Sequence, residues 1–306
     1  MVEPYPKPPM PENINIFKAV LAFVLACVPA IAWGYTFYQK QDNKRSMSLR
    51  IFIAGAAFVA PLLVYKYLWQ FFPWLNAFAF THQFKDDMIG FANVTAVPLE
   101  VLLTFVIVGV LEEVTKFLAV KASGVADQIT CIDDAIEMFI TAALGFSFVE
   151  NIIYFYTIMS NRGPENILYP FVFRSLFSSF AHIMFSGICG YYYGLAHFAE
   201  PLLRDDTAKK RFPLMRVIMK ILPFKDSDEF KSEKIVQGIL TAVGLHALFN
   251  IFLEMNWTFL LVPYLTGGYI MLNYLLEKKE DHKKFGRVAA CECVSRKQRK
   301  ADLAKA

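Results

Sequence analysis

The chain has 306 residues, of which 56% are hydrophobic and 19% are charged, and its formal net charge is +4 at pH 7. Soluble proteins average about 25% charged residues, and a soluble core of this size does not need 30 phenylalanines. Intrinsic disorder is excluded because it requires low hydrophobicity and high charge. The small net charge argues against nucleic acid as a partner. The composition therefore indicates a polytopic membrane protein.

Seven apolar segments are long enough to cross a bilayer as helices, which takes about 20 residues each. They cover residues 15–38, 50–70, 96–120, 136–159, 169–198, 235–254 and 257–276. They predict an all-α bundle of about seven transmembrane helices, a single domain over residues 1–276, followed by a basic cytoplasmic tail over residues 277–306. The apolar stretch of the first segment continues past Ala30-Ile31-Ala32, a possible signal-peptide cleavage site, so we expect an uncleaved anchor.

Lysine and arginine residues concentrate on one side of the predicted bundle. They fill the connections after the first and fifth segments and the C-terminal tail, whereas the opposite side holds only Lys7, Lys18, Lys85 and Arg162. The positive-inside rule places the basic side in the cytoplasm. The N-terminus is then outside and the C-terminus is cytoplasmic, which requires an odd number of spans and agrees with seven.

Two of the connections carry apolar residues of their own. Residues 211–223 combine apolar residues with Arg216 and Lys220, four positions apart. This pattern predicts either an interfacial helix on the cytoplasmic leaflet or a loop helix packed on the bundle. Residues 71–95 form the longest outside segment, and we expect a short surface or re-entrant piece there.

Ionisable side chains inside the predicted spans point to a functional site, because each costs roughly 2.5–3.5 kcal/mol at the bilayer centre. They are Glu112, Glu113, Lys116, Glu150, Arg174, His182 and His246. Since a helix rises about 1.5 Å per residue, four spans place carboxylates or imidazoles at similar depth in the inner-to-middle bilayer. One shared site explains the similar depth of these groups better than four unrelated placements.

Helical spacing groups several of these residues on common faces. Lys116 lies four residues after Glu112 and three after Glu113, so its ammonium can reach either carboxylate. His246 and Asn250 are also four apart. The fifth segment carries a stripe of small and polar residues, which are Ser175, Ser179, His182, Ser186 and Gly190. Such a stripe is either a tight helix–helix seam or a wall of a polar site, and the histidine favours the site.

Imidazoles and carboxylates suit zinc, which in catalytic sites takes three protein ligands and keeps one open position. Glu150, His182 and His246 are the predicted ligands. Glu112 or Glu113 is then available as the general base for a bound water. The combination predicts metal-assisted amide hydrolysis inside the membrane.

Three further side chains have predicted roles near this centre. Asn250 would donate a hydrogen bond to a developing oxyanion, and Lys116 would hold one carboxylate ionised or aligned. Arg174 is either an anchor that extends to the outer headgroups or the partner of an acidic group in the site. An ion or proton transporter and a catalytically inactive scaffold are the competing functions.

Four motifs in the chain resemble those of the PrsW family of intramembrane proteases. They are Glu112-Glu113-Val-Thr-Lys116, Gly145-Phe-Ser-Phe-Val-Glu150-Asn151, Arg174 followed by His182, and His246-Ala-Leu-Phe-Asn250, all within residues 108–252. The family is distantly similar to type II CAAX prenyl endopeptidases and to bacteriocin-immunity-type membrane proteins. Those proteins have E-E-x-x-x-R and F-x-x-x-H, and this chain departs from both patterns.

The resemblance implies an endopeptidase that cleaves membrane-anchored proteins, with an anti-sigma factor cut at site 1 as one expected substrate. It maps the catalytic glutamates to Glu112 and Glu113, and the ligands to Glu150, His182 and His246. Zinc is the expected cofactor, with metal-free water activation by a glutamate as the alternative. The expected location is the bacterial inner membrane, and neither the resemblance nor the residues predict an oligomeric state.

Overall fold

A computed structural model describes residues 15–38, 45–90, 96–125, 132–198 and 229–284. Its α-helices are α1 (Ile16–Tyr38), α2 (Arg45–Ala57), α3 (Val59–Phe71), α4 (Leu99–Ala122), α5 (Ile132–Arg162), α6 (Leu168–Phe173), α7 (Ser179–Phe198), α8 (Glu229–Glu254) and α9 (Leu261–Lys284). The predicted interfacial helix over residues 211–223 and the tail beyond Lys284 lie outside the described residues.

Short elements connect the helices. The 3-10 helices are Pro73–Leu75, Ala77–Phe84, Pro164–Asn166 and Thr258–Leu260, and a π-helical turn, Arg174–Ser178, joins α6 to α7. Strand β1 (Met88–Ile89) pairs antiparallel with β2 (Val97–Pro98) just before α4. The segment Ala77–Phe84 rests on the start of α4, where Thr104 donates a hydrogen bond to Thr81 at 3.1 Å.

Apart from this short strand pair, the regular structure of the described residues is helical, as in an all-α membrane protein. Among them, five helical stretches are long and apolar enough to cross a bilayer: Ile16–Thr36, Met47–Phe71, Ile132–Arg162, Pro164–His197 and Lys231–Glu254. The other two predicted spans coincide with α4 and α9, which are helical as well. Helix α4 differs from the five in its charge, because every 18-residue stretch of it contains Glu112, Glu113 and Lys116. The seven-span count and the orientation of the termini remain predictions.

Helices α5 and α7 form the centre of the bundle. Helix α5 packs along α7, α2 and α1, while α8 packs along both α7 and α4. The core between them includes the buried side chains of Phe139, Met184, Phe185 and Ile188. This arrangement brings α4, α5, α7 and α8 together, and these are the four helices that carry the predicted site residues.

Two glycines bring α2 and α5 into close contact. A Cβ atom on Gly145 would overlap the carbonyl oxygen of Phe52, and a Cβ atom on Gly55 would overlap the carbonyl oxygen of Ala142. Small residues allow such close approach of helix backbones in membrane proteins, where packing replaces the hydrophobic effect. The contact fixes α5 on the bundle only five residues before Glu150.

We expect Gly145→Ala to destabilise the protein by about 1–3 kcal/mol, because the added methyl group overpacks the α2–α5 contact. Thermal unfolding in mild detergent measures the effect. Gly244→Ala is the matched control, since nothing lies within 4 Å of a Cβ there and alanine favours the helix by about 1 kcal/mol. Equal unfolding midpoints for Gly145→Ala and the wild type would contradict the close contact.

Candidate active site

A buried ion pair on α4 forms the base of the site. Lys116 Nζ lies 2.6 Å from Glu113 Oε1, and the two residues are only 1% and 2% exposed. The ammonium also lies 4.8 Å from the ring centroid of Phe146 on α5. The i, i+3 spacing puts both side chains on one face of the helix, and each charge compensates the burial of the other.

His246 on α8 is oriented by this ion pair. Its Nδ1 lies 2.8 Å from Glu113 Oε1. A carboxylate accepts hydrogen bonds, so Nδ1 carries the proton and donates it, and Nε2 of the neutral ring keeps its lone pair. That nitrogen lies 3.7 Å from Glu112 Oε2. A histidine held by a carboxylate in this way is the usual arrangement of a metal ligand.

His182 on α7 contacts the other side of Lys116. Its Nδ1 lies 2.8 Å from Lys116 Nζ, and its Nε2 lies 3.1 Å from Glu150 Oε2. An ammonium group only donates, so Nδ1 accepts and Nε2 carries the proton towards Glu150. The rings of His182 and His246 meet edge to face, with centroids 5.4 Å apart.

Glu112 differs from its neighbour Glu113 in what its carboxylate contacts. Glu113 is bonded to both Lys116 and His246. Glu112 lies on the cavity wall instead, and its Oε2 is buried without a hydrogen-bond partner among the described residues. Buried acceptors without a partner are rare in native proteins, so this oxygen marks a place where a water molecule or a cation would bind.

Glu112, His182 and His246 together could hold a metal ion. Each offers one ligand atom, and these atoms lie within 4.8 Å of one another. One carboxylate oxygen and two imidazole nitrogens are a donor set that zinc accepts, and the unpartnered oxygen of Glu112 fits a cation. The group contains both predicted histidines, but its carboxylate is Glu112, whereas the sequence predicted Glu150.

These residues surround a cavity of about 140 Å³. Its polar wall is formed by Glu112, Glu150, Arg174, Ser178, His182, His246 and Asn250. Its apolar wall includes Phe173, Ala181, Phe185, Phe249 and Leu253. The four helices thus bring together all seven predicted site residues, five of them on the cavity wall and two, Glu113 and Lys116, directly beside it.

Arg174 is a partner of the acidic group Glu150. Its terminal nitrogen lies 2.8 Å from Glu150 Oε2, and its Nε donates to Asn151 Oδ1 at 2.5 Å. The guanidinium also lies 4.6 Å from the ring centroid of Tyr154. No role for Asn151 was predicted from the sequence, although its position beside Glu150 in the second motif was a usable signal.

A helical membrane bundle with glutamates and histidines around an internal cavity defines a candidate membrane hydrolase. The family model for PrsW family intramembrane metalloproteases matches residues 43–276, so the chain belongs to that family. The prediction made from the four motifs is therefore confirmed, and the protein is a membrane protease by homology. Its substrate class is protein, and its surroundings are the lipid bilayer.

Comparison with curated proteins gives the same family. The chain is 30% identical over 208 residues to a protein named Protease PrsW from Shouchella clausii (strain KSM-K16). The alignment covers 66% of this chain and 80% of that protein. No solved structure matches the chain.

Proposed function

We propose that the protein is an endopeptidase that hydrolyses peptide bonds of membrane-anchored proteins at the cavity centred on Glu112. The observation that carries this proposal is the unpartnered, buried Oε2 of Glu112, which lies on the cavity wall close to two imidazoles. A carboxylate oxygen in this environment is available to bind a metal ion, or to act on water directly in the metal-free alternative. The family match supports the same reaction class.

Glu112, His182 and His246 would hold one zinc ion. Nδ1 of His182 accepts from Lys116, so Nε2 would be the ligand atom, and metal binding would release the proton that otherwise points to Glu150. A bound zinc ion supplies Lewis-acid chemistry and lowers the pKa of a coordinated water to about 7. In this proposal Glu112 takes the ligand role that the sequence gave to Glu150. Glu150, the second carboxylate on the cavity wall, then accepts the proton of the attacking water and returns it to the leaving amine.

The remaining polar residues orient this centre. Glu113 accepts the Nδ1–H of His246 and so keeps Nε2 near Glu112. Lys116 neutralises Glu113 and donates to His182. Asn250 lies one helical turn after His246 on the cavity wall, and its side-chain amide would donate to the oxyanion that forms on the scissile carbonyl.

Zinc content tests the metal part of the proposal without a substrate. We expect about one zinc ion per wild-type protein purified in mild detergent, and little in folded His246→Ala, because three protein ligands are the minimum of a catalytic zinc site. Mass spectrometry of bound metals measures this. His82→Ala is the control, since His82 lies outside the site with its side chain 73% exposed. Full cleavage by zinc-free protein would show instead that Glu112 acts directly as the base.

A single-span anti-sigma factor is the substrate we propose, cleaved at site 1 in the bacterial inner membrane. The assay reconstitutes purified protein and substrate in liposomes and identifies the products by mass spectrometry. A proton flux in the same liposomes without any cleavage would favour the transporter alternative.

A further inference from the structure

The π-helical turn between α6 and α7 lies beside the candidate site. It spans Arg174–Ser178, immediately before the first residue of α7. Turns of this type are rare, occur mostly as single insertions in α-helices and are frequent at functional sites. Arg174 is the first residue of the turn, and His182 follows eight residues later.

The turn changes which face of the helix Arg174 occupies. Eight residues of regular α-helix make about 2.2 turns, which would place Arg174 and His182 roughly 80° apart. A π turn takes up one extra residue. The separation is then equivalent to about seven α-helical steps, within roughly 20° of two full turns. Arg174 and His182 therefore lie on the same face.

The contacts of Glu150 agree with this alignment. Arg174 and His182 approach the same carboxylate oxygen, Glu150 Oε2, at 2.8 Å and 3.1 Å. The guanidinium is itself fixed, because Nε donates to Asn151 and the group lies over the ring of Tyr154. Asn151 in turn donates to Ser179, the first residue of α7, at 3.4 Å. The arginine is thus tied to both α5 and α7.

We propose that Arg174, aligned by the π-helical turn, is a positioning residue that fixes the Glu150 carboxylate against His182. This inference rests on the function proposed above, in which Glu150 carries the proton. Arg174 acts through Glu150: its planar guanidinium holds the carboxylate and Asn151 at once. A lysine cannot do so, since its ammonium is a point charge on a flexible stem.

The kinetic test is a double-variant cycle with the anti-sigma-type substrate in liposomes. We expect Arg174→Ala to lower kcat about 10- to 100-fold, the usual cost of losing the partner of a site residue, with KM nearly unchanged. The decrease in kcat should be smaller for Arg174→Lys, which keeps the positive charge. Arg174→Ala/Glu150→Gln should be no slower than Glu150→Gln alone, because the arginine acts through that carboxylate. If the decrease in kcat of the double variant equalled the product of the decreases of the two single variants, the proposal would be overturned.

A spectroscopic readout separates this inference from the proposed function. Metal-free protein labelled with nitrogen-15 at histidine, in which Nε2 of His182 keeps its proton, shows this Nε2–H signal, which is assigned by its loss in His182→Gln. We expect Arg174→Ala to shift this signal, while Arg162→Ala, which removes an exposed arginine at the end of α5, leaves it in place. Arg174→Lys, which keeps the charge, serves if the alanine variant does not fold.

The cleavage assay and the His182 signal together distinguish a failure of the positioning role from a failure of the proposed function. One outcome is that the His182 signal shifts in Arg174→Ala while the wild-type protein cleaves no substrate. That result would leave the positioning role intact and contradict the proposed function. An unshifted signal in a folded Arg174 variant would overturn the positioning role, whatever the cleavage assay shows.

Discussion

Glu112→Gln is expected to abolish cleavage and leave the fold intact. The amide has nearly the same shape, but it neither accepts a proton from water nor supplies an anionic ligand. Losing the proposed zinc ligand removes the Lewis acid, and in the metal-free alternative losing the general base alone costs about 10²- to 10⁴-fold, so we expect kcat to fall by at least about 100-fold. Because Oε2 of Glu112 has no hydrogen-bond partner among the described residues, the substitution breaks no bond that holds the helices together.

The matched control for this variant lies on the same helix. Glu100 lies in the first turn of α4 and pairs with His82 at 2.5 Å, away from the cavity, with the histidine side chain 73% exposed. Glu100→Gln should therefore retain normal kcat and a wild-type unfolding midpoint. Cleavage of a single-span substrate and thermal unfolding in detergent are measured for both variants. Normal turnover by Glu112→Gln would remove Glu112 from the reaction.

The sequence predicted the helices well because apolar length is a strong signal. Each of the seven predicted segments is helical, and the segment ends differ from the helix ends by up to eight residues. Helix α5, for example, begins at Ile132 and ends at Arg162, beyond the predicted 136–159. The polar ends of a long helix extend past the apolar stretch, so hydropathy alone marks the membrane part and not the whole helix.

The sequence predicted that these residues lie close together, but it did not predict which of them contact one another, and their roles in the reaction stay a proposal. Spacing showed that Lys116 could reach Glu112 or Glu113, and the structure selects Glu113 as its close partner, at 2.6 Å against 3.8 Å for Glu112. Adjacent residues on a helix lie about 100° apart. Which of the two faces the cavity depends on the rotation of α4 against α8, and a single sequence does not contain that rotation.

The position of Arg174 was unpredictable for a related reason. Regular helical spacing places it about 80° from the His182 face. Its position near the outer headgroups left an anchor and a partner of an acidic group as the two predicted roles. The π-helical turn removes this angle between Arg174 and the His182 face, and no residue pattern in Arg174–Ser178 predicts such a turn. Irregular backbone next to a site is thus the part of the structure that periodicity fails to predict.

Glu113→Gln is expected to lower the free energy of unfolding by about 3–5 kcal/mol, the usual cost of removing one partner from a buried ion pair. The ammonium of Lys116 stays buried, and the nearest remaining carboxylate is that of Glu112, with Oε2 at 3.8 Å from Nζ. Unfolding in detergent measures the loss. Glu100→Gln breaks an exposed pair on the same helix and should cost less than about 1 kcal/mol. Equal losses for the two variants would contradict the proposed importance of the buried pair.

The double variant Glu113→Gln/Lys116→Met separates stability from activity. Removing both charges leaves no uncompensated ion in the core, so most of the lost stability should return. Cleavage should stay low, because His182 loses its bond from Lys116 and His246 loses the charged acceptor of its Nδ1–H. Recovery of both stability and cleavage would mean that the reaction does not need the pair. A stable, inactive protein would show that the two side chains are needed to orient the histidines, although the fold tolerates the loss of both.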